Sequence, residues 1–453
     1  MLPRRPVAVL GLVTLGYLIL QILLVPHGMP LEWDEAVYTS QVAPGVPDAL
    51  FSAPRARGVT WLVAPMAQLT MDPALLRWWM MAVATAGFFL AWLPWTRILS
   101  RGVLATASGL FATLWVTVWY GPQVMPNLYT AFGALLAVGC LLIVKERGGA
   151  WAYAGLAAGF AGVTLLRPSD VLWLGVVAGP AALLWRKWTA AAVILVSALA
   201  GAVPWVVEAY RSFGGLAQRW QEAGEVQGGI APAPGFWHEF KAASGPAFCR
   251  PCDIPLDNPH LLIWWIVLPV LALVGARRHP LPALTGLAMA APYLFLVDYA
   301  APRFLLPAYA LLLIPAGSVV VDALTSRWKW VAAGVIAAHV AVQFVALDGV
   351  KSVDYTVRTD QDALLRDMAD FGVRKPCTLV GTSVNPAHQF VTRCEVVIVK
   401  PGETVDQAVG GVPGVVAALT RKTPLPGTEK WERHVLNTVG GQPYWIAMVR
   451  PGT

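Results

Sequence analysis

Charge is what this chain has least of: Asp, Glu, Lys and Arg make up only 13% of its 453 residues, against 57% hydrophobic residues and a mean hydropathy of +0.59. That scarcity, together with 21 Trp, excludes an ordinary soluble domain and identifies an integral membrane protein. A basic stripe is missing too. The net charge of +7 sits on Lys and Arg in short groups between apolar runs, which excludes nucleic acid as a partner and implies the lipid bilayer. Internal repeats and low-complexity tails are also absent. The first apolar run, "VAVLGLVTLGYLILQILLV", is too long for a signal peptide and no small-residue cleavage site follows it, so a retained anchor is expected.

A spanning helix needs about 20 apolar residues. Roughly eleven runs qualify, near 7–25, 77–96, 102–119, 125–144, 150–166, 170–185, 189–206, 260–276, 281–297, 304–323 and 329–346. Threading them alternately from a cytoplasmic N-terminus puts Arg4/Arg5, Arg97/Arg101, Lys145/Arg147, Arg186/Lys187, Arg277/Arg278 and Arg327/Lys329 on one side. Positive residues gather on the cytoplasmic side, so the loops 26–76, 207–259 and 298–303 and everything from 347 onward are expected outside.

From about residue 347 the pattern turns soluble, alternating helix-like "DQDALLRDMADFG" and "NPAHQFVT" with apolar runs "CTLVGT", "CEVVIV", "GVVAAL" and "YWIAMV". The expectation is an α-helical polytopic membrane domain over residues 1–346, carrying a small extracytoplasmic α/β domain over 347–453. Cys377 and Cys394 each open a predicted strand. If those strands are parallel neighbours joined by the intervening helix, their starts lie side by side, and an oxidising exterior favours a disulfide. Cys249 and Cys252 form a lone CxxC in an outer loop, read first as a disulfide, with zinc completed by His238 and His260 as the alternative. Cys140, alone in a span, reads as a small buried hydrophobe.

The polar residues that could do chemistry cluster at the outer ends of spans. In "EWDEAVY", Asp34 and Tyr38 stand one turn apart if the piece is helical, with Trp33 beside them as an interfacial anchor. Arg55 and Arg57 follow in "SAPRARGVTW", Arg167 and Asp170 in "LLRPSD", and Asp298, Tyr299 and Arg303 in "VDYAAPRFLLPAY". All emerge on the outer face. One acid converging with several arginines and tyrosines suggests deprotonation of a hydroxyl and neutralisation of a phosphate leaving group.

These motifs, "WDEAVY" after the first span, "PRARGVTWLVAP" closing the first outer loop, "LLRPSD" midway and "APRFLLPAYALLL" before a late span, resemble those of the GT-C glycosyltransferases. Within that superfamily the chain is most similar to the branch of the protein O-mannosyltransferases and the lipid A aminoarabinose transferase. The resemblance implies transfer, with inversion, of a sugar from a polyprenyl phosphate to a hydroxyl acceptor on the outer face. Mannose and arabinose are candidate sugars. A protein Ser/Thr, a glycolipid and a cell-envelope polysaccharide are candidate acceptors. By position, Asp34 matches the general base with Glu35 as its neighbour, Arg55 or Arg57 the basic residue that grips the donor phosphate, and Arg303 the arginine of the late motif. Arg167 joins the phosphate set, and Tyr38, Asn127, Tyr129, Asp298 and Tyr299 the substrate pocket. Asn127, in "GPQVMPNLYT", stands where related enzymes often carry an acid, so a metal bridged by two carboxylates is not expected; a divalent cation stays open as a cofactor. The alternative is a polytopic transporter of a lipid-linked or small polar substrate, which tends to show duplicated halves and midplane charges.

Overall fold

A computed structural model describes residues 4–228, 232–233, 235–244, 256, 258–382, 384–400, 402–410, 414–420, 423–436 and 445–450. In chain order the first helices are α1 (Arg4–Leu24), α2 (Trp33–Ser40), α3 (Gly58–Ala67), α4 (Pro73–Trp92), α5 (Arg101–Thr113), α6 (Trp115–Tyr120), α7 (Pro126–Glu146) and α8 (Ala150–Leu166). They are followed by α9 (Pro168–Leu184), α10 (Trp188–Ser212), α11 (Leu216–Val226), α12 (Gly235–Ala242), α13 (Ile263–Gly275), α14 (Pro280–Phe295), α15 (Leu306–Leu324) and α16 (Lys329–Asp367). A helix satisfies its own backbone polar groups, which is why apolar runs in a bilayer adopt it. Every predicted span has a helical counterpart among these. Six of the described helices are long and apolar enough to cross a membrane, and five shorter apolar helices accompany them.

Two boundaries differ from expectation. The run 102–119 is broken at Leu114, which takes an extended conformation (φ −59°, ψ 131°) and separates α5 from α6. The amide of Trp115, which the break removes from the helical ladder, donates to Gln343 Oε1 on α16 at 3.0 Å. At the other end, α16 runs on to Asp367 and absorbs the start of the segment expected as a separate helix. No proline interrupts that stretch, so nothing in the local sequence stops the helix.

The chain divides into two compact units. The first comprises Met1–Val25, Ser52–Val59 and Trp78–Val350. Its inner helices are α7 and α15, each with 83% of its apolar window buried, against 22% for α1 and α10. Small residues let helices approach in lipid. Thus a Cβ on Gly159 of α8 would stand 2.7 Å from the Gly133 carbonyl oxygen of α7.

The second unit comprises Pro26–Phe51, Thr60–Arg77 and Lys351–Thr453. It holds β1 (Cys377–Gly381), α17 (Pro386–Thr392), β2 (Glu395–Ile398), α18 (Val405–Val409), β3 (Val415–Thr420), β4 (Glu432–Leu436) and β5 (Trp445–Val449). The strand order is β2-β1-β3-β5-β4, parallel between β1 and its two neighbours and antiparallel at β3/β5 and β4/β5. Both faces of β3 are buried, Ala417 and Leu419 on one and Val416 and Ala418 on the other, which accounts for its continuous apolar run. The pairing of Thr378 with Glu395 sets the preceding residues side by side, and Cys377 and Cys394 form the expected disulfide, with Cα atoms 4.7 Å apart. Sequence reading missed β4. Its "ERHVL" is a sheet edge, largely exposed and partly charged, and so carries none of the apolar signal of an inner strand.

The second unit also includes α2. Helix α17 packs against it, and Gln389 Nε2 donates to the Pro47 carbonyl at 2.8 Å, so Pro26–Phe51 of the first outer loop and the C-terminal sheet domain share one folded body.

Candidate active site

In the first unit the site is built around Phe304, on the short 3-10 helix Pro302–Leu305 that leads into α15. Pro302 starts this turn, where its fixed φ suits a helical entry. The guanidinium carbons of Arg167 and Arg303 lie 5.3 and 5.6 Å from the Phe304 ring centroid, and Arg303 also stands 5.8 Å from the Tyr120 ring. Tyr293 stacks on Phe304 at 5.1 Å and Tyr299 meets it edge-on at 5.5 Å. Two of the four predicted phosphate arginines are thus gathered by aromatic rings, whose faces attract a planar cation.

Arg167, at the break between α8 and α9, is fixed more closely. Its Nε donates to Asp170 Oδ2 at 2.9 Å, its Nη2 to the Tyr293 hydroxyl at 2.6 Å, and that hydroxyl donates to Asp170 Oδ1 at 2.5 Å. The triangle ties the start of α9 to α14. Arg303 is buried to 6% exposure beside it.

Arg55 and Arg57 belong to a second group in the same unit. Arg57 Nε donates to Glu208 Oε1 at 2.8 Å, near the end of α10. The other oxygen of Glu208 accepts from Arg219 Nη2 at 2.8 Å. Arg219, fully buried against the Trp205 and Phe213 rings, also donates to the carbonyls of Ala53 at 3.0 Å, Arg55 at 2.9 Å and Trp205 at 2.6 Å. A guanidinium has five N–H donors in a fixed fork, and here that fork staples residues 53–55 to the end of α10. Arg55 Nε in turn donates to Ser52 Oγ at 3.0 Å. Gly58 brings this segment against the end of α8: a Cβ there would lie 2.7 Å from the Leu165 carbonyl oxygen, two residues before Arg167.

Asp34, Glu35 and Tyr38 lie on α2 in the second unit. Asp34 is half-buried and Trp33 exposed. Glu35, expected as the catalytic neighbour, is fully buried, as is Arg77, with which it forms an ion pair through Oε1 and Nη1. Its Oε2 accepts from Arg77 Nη2 and Arg358 Nη1, both at 2.9 Å, and from the Glu32 amide at 3.0 Å. Burial alone would raise the Glu35 carboxyl; the Arg77 and Arg358 guanidinium groups and the Glu32 N–H prevail and hold it below the usual carboxylate range. Arg77 further donates to the carbonyls of Met29 at 3.1 Å and Pro30 at 2.9 Å, so the chain entering α2 is held at several points. Tyr38, one turn beyond Asp34, is buried edge-on to Phe51 at 5.9 Å.

The remaining predicted residues are dispersed. Asn127 is buried near the start of α7, its Nδ2 with no hydrogen-bond partner among the described residues, and the Tyr129 hydroxyl donates to the Met80 carbonyl at 3.5 Å. Asp298 is 69% exposed, its Oδ1 4.0 Å from His238 Nδ1. Cys249 and Cys252 lie outside the described residues. Among the described residues, no group of three or more His, Cys, Asp or Glu side chains could hold a metal ion.

An apolar cavity of about 330 Å³ lies in the first unit between α13, α15 and α16, lined by Trp264, Leu268, Leu313, Val335 and His339 among others. His260 also lines it, next to the start of α13.

Sequence reading passed over Arg77, Glu208, Arg219, Tyr293 and Arg358. Arg77 carried a usable signal: a cation just inside the apolar run "PALLRWWMM" must find a partner or a carbonyl cage. Glu208 and Arg219 sit in or beside a polar loop, where charges are ordinary.

No protein-family model matches the sequence, and no curated protein matches it. Solved structures do resemble it. ArnT from Cupriavidus metallidurans bound to undecaprenyl phosphate matches with a TM-score of 0.66 and 11% identity, over 98% of this chain and 98% of that one. The apo state of the same protein gives 0.64 and 12%, over 98% and 99%. The Archaeoglobus fulgidus oligosaccharyltransferase tethered with an acceptor peptide gives 0.51 and 12%, over 86% of this chain and 63% of that one. At these identities the likeness is one of architecture: this multi-pass membrane chain has the GT-C fold, followed by a small C-terminal sheet domain.

Proposed function

We propose that this chain is an inverting membrane glycosyltransferase that moves a sugar from a polyprenyl phosphate to a hydroxyl acceptor on the outer face. The observation that carries the reading is the pair Arg167 and Arg303, gathered on Phe304 within a fold shared over nearly its whole length with a protein crystallised with undecaprenyl phosphate. A polyprenyl chain cannot leave the bilayer, so its phosphate and sugar are confined to the headgroup plane, where these cations belong. The apolar cavity between α13, α15 and α16 suits a prenyl chain.

In the reaction, Asp34 takes the proton of the acceptor hydroxyl as that oxygen attacks the anomeric carbon. The bond from that carbon to the phosphate oxygen breaks on the opposite face, which inverts the centre. Arg303, with Arg167 beside it, stabilises the charge that develops on the departing phosphate. A positioned base contributes about 10²–10⁴-fold. Glu35 serves this chemistry through the backbone, by fixing the helix that bears Asp34. The N-terminus is cytoplasmic in this reading, residues 1–346 carry the catalysis, and residues 347–453 form an extracytoplasmic domain. The sugar is a pentose or hexose, with arabinose and mannose the first to test.

The test uses the full chain in lipid nanodiscs with radiolabelled polyprenyl-phosphate arabinose or mannose and a cell-envelope extract as acceptor. Release of polyprenyl phosphate coupled to labelled, inverted product, lost in D34N, is the expected result. Accumulation of donor or solute in sealed vesicles, with no sugar transferred, would establish a transporter in its place.

A further inference from the structure

Helix α12 carries a carboxyl that the mechanism above does not use. Phe236, Glu239 and Phe240 share one face at i, i+3 and i+4. The two phenylalanines pack on Trp265 of α13, with ring centroids 5.1 and 5.6 Å away, and so pin Glu239 in the interior. Glu239 is 0% exposed, and neither of its side-chain oxygens has a hydrogen-bond partner among the described residues. The main chain of Ala301 approaches it, short of a full hydrogen bond, and Arg303 acts on it through its charge. From α15, Tyr309 faces the same carboxyl, its hydroxyl accepting from Trp265 Nε1 at 2.8 Å. On α12 itself, His238 has Asp298 as its acidic neighbour.

A buried polar group without a partner destabilises the fold, and leucine would fill the same space at lower cost. Burial, which disfavours the charged form, holds the carboxyl well above the usual carboxylate range against the opposing pull of Ala301 and Arg303. Burial thus favours the protonated form of Glu239, an O–H donor, over the carboxylate. Such acids can serve anionic groups as hydrogen-bond donors.

Building on the proposed transferase reading, we propose that Glu239 is a second ligand of the lipid phosphate: a carboxylic acid that donates its O–H to one phosphate oxygen while the Arg303 guanidinium pairs with another. Rising pH ionises Glu239, removes the donor and sets a negative charge beside the phosphate, so binding weakens.

The experiment measures binding of undecaprenyl phosphate to the full chain in nanodiscs across pH 6–9.5, for the unaltered protein, E239Q and E239A. E239A is expected to bind about 10- to 100-fold more weakly at pH 7, the weight of one hydrogen bond to a charged partner. E239Q keeps a donor of the same shape and is expected within about threefold of the unaltered protein at pH 7. The phosphate's own ionisation is common to both proteins, so the difference between their profiles reports on Glu239. The unaltered chain should lose at least about tenfold relative to E239Q as pH rises. Parallel profiles, or E239A binding within twofold of the unaltered chain, would overturn the inference and leave the transferase reading standing. Absence of binding to the unaltered chain at every pH would overturn both.

Discussion

Asp34 and Glu35 are adjacent in sequence and chemically alike, and their surroundings predict opposite responses to the same change. Removing the charge of Glu35 with E35Q leaves Arg77, fully buried, and Arg358, nearly so, without the carboxylate that now accepts from both. Breaking a buried ion pair by neutralising one partner costs about 3–5 kcal/mol. For a folded body of this size, roughly 150–250 residues, each kcal/mol moves the melting temperature by about 2–4 °C, so E35Q should melt about 6–20 °C below the unaltered protein. Glutamine keeps hydrogen-bonding capacity, which places the expectation toward the lower end. At half-buried Asp34, D34N keeps the size and shape of the side chain and should melt within about 2 °C of the unaltered protein. Its transfer rate should nonetheless fall about 10²–10⁴-fold, because the base is gone. The assay is a pair of measurements on the same nanodisc samples, intrinsic tryptophan fluorescence against temperature and initial transfer rate. The sign of the pH dependence follows from the depressed carboxyl of Glu35: its contribution to stability is fully present above the unfolded value, near about pH 4.3, and is lost as pH falls through the lower folded value. The melting gap between E35Q and the unaltered protein should therefore hold steady through neutral pH and close only in acid. Equal melting of E35Q and the unaltered protein at pH 7 would refute the reasoning, and so would full turnover by D34N.

Arg303→Ala should raise the KM for the lipid donor at least about 30-fold, as expected when one partner of a desolvated charge contact is removed, with R303K recovering part of it; an unchanged KM would remove Arg303 from the phosphate site. Tyr293→Phe deletes the hydroxyl that joins Arg167 to Asp170, and should lower stability by about 1–3 kcal/mol while reducing transfer through a misplaced Arg167. Unchanged melting and rate would show the triangle to be dispensable. Cys394→Ser opens a disulfide that closes a separation of 17 residues, and should destabilise the C-terminal domain by about 3 kcal/mol, read as lost protection of the sheet amides against hydrogen exchange. No change in protection would contradict that figure.

Much of the architecture was legible because membrane insertion is a local property of the chain. A run of apolar residues is driven from water whatever lies elsewhere, and a helix satisfies its backbone within itself, so the spans could be placed residue by residue. The disulfide was legible for a related reason: two cysteines that open parallel neighbouring strands must lie together. β4 was not, since a partly charged edge strand looks locally like a loop. Of the site, the motifs named Arg55, Arg57, Arg167 and Arg303; Arg167 and Arg303 lie against one aromatic ring, and Arg57 lies on Glu208 in a separate group with Arg55.

Residue type and spacing alone determined that this chain crosses a membrane repeatedly, ends in a small α/β domain and carries acids and arginines at the ends of its spans. Only the tertiary structure decided what each charge does. Glu35 meets Arg358 across 323 residues and Tyr293 meets Asp170 across 123, and Glu239 is buried with no hydrogen-bond partner among the described residues. The physical reason is that the energy of a buried charge depends on which groups surround it in space, and those neighbours come from distant parts of the chain that no local pattern records.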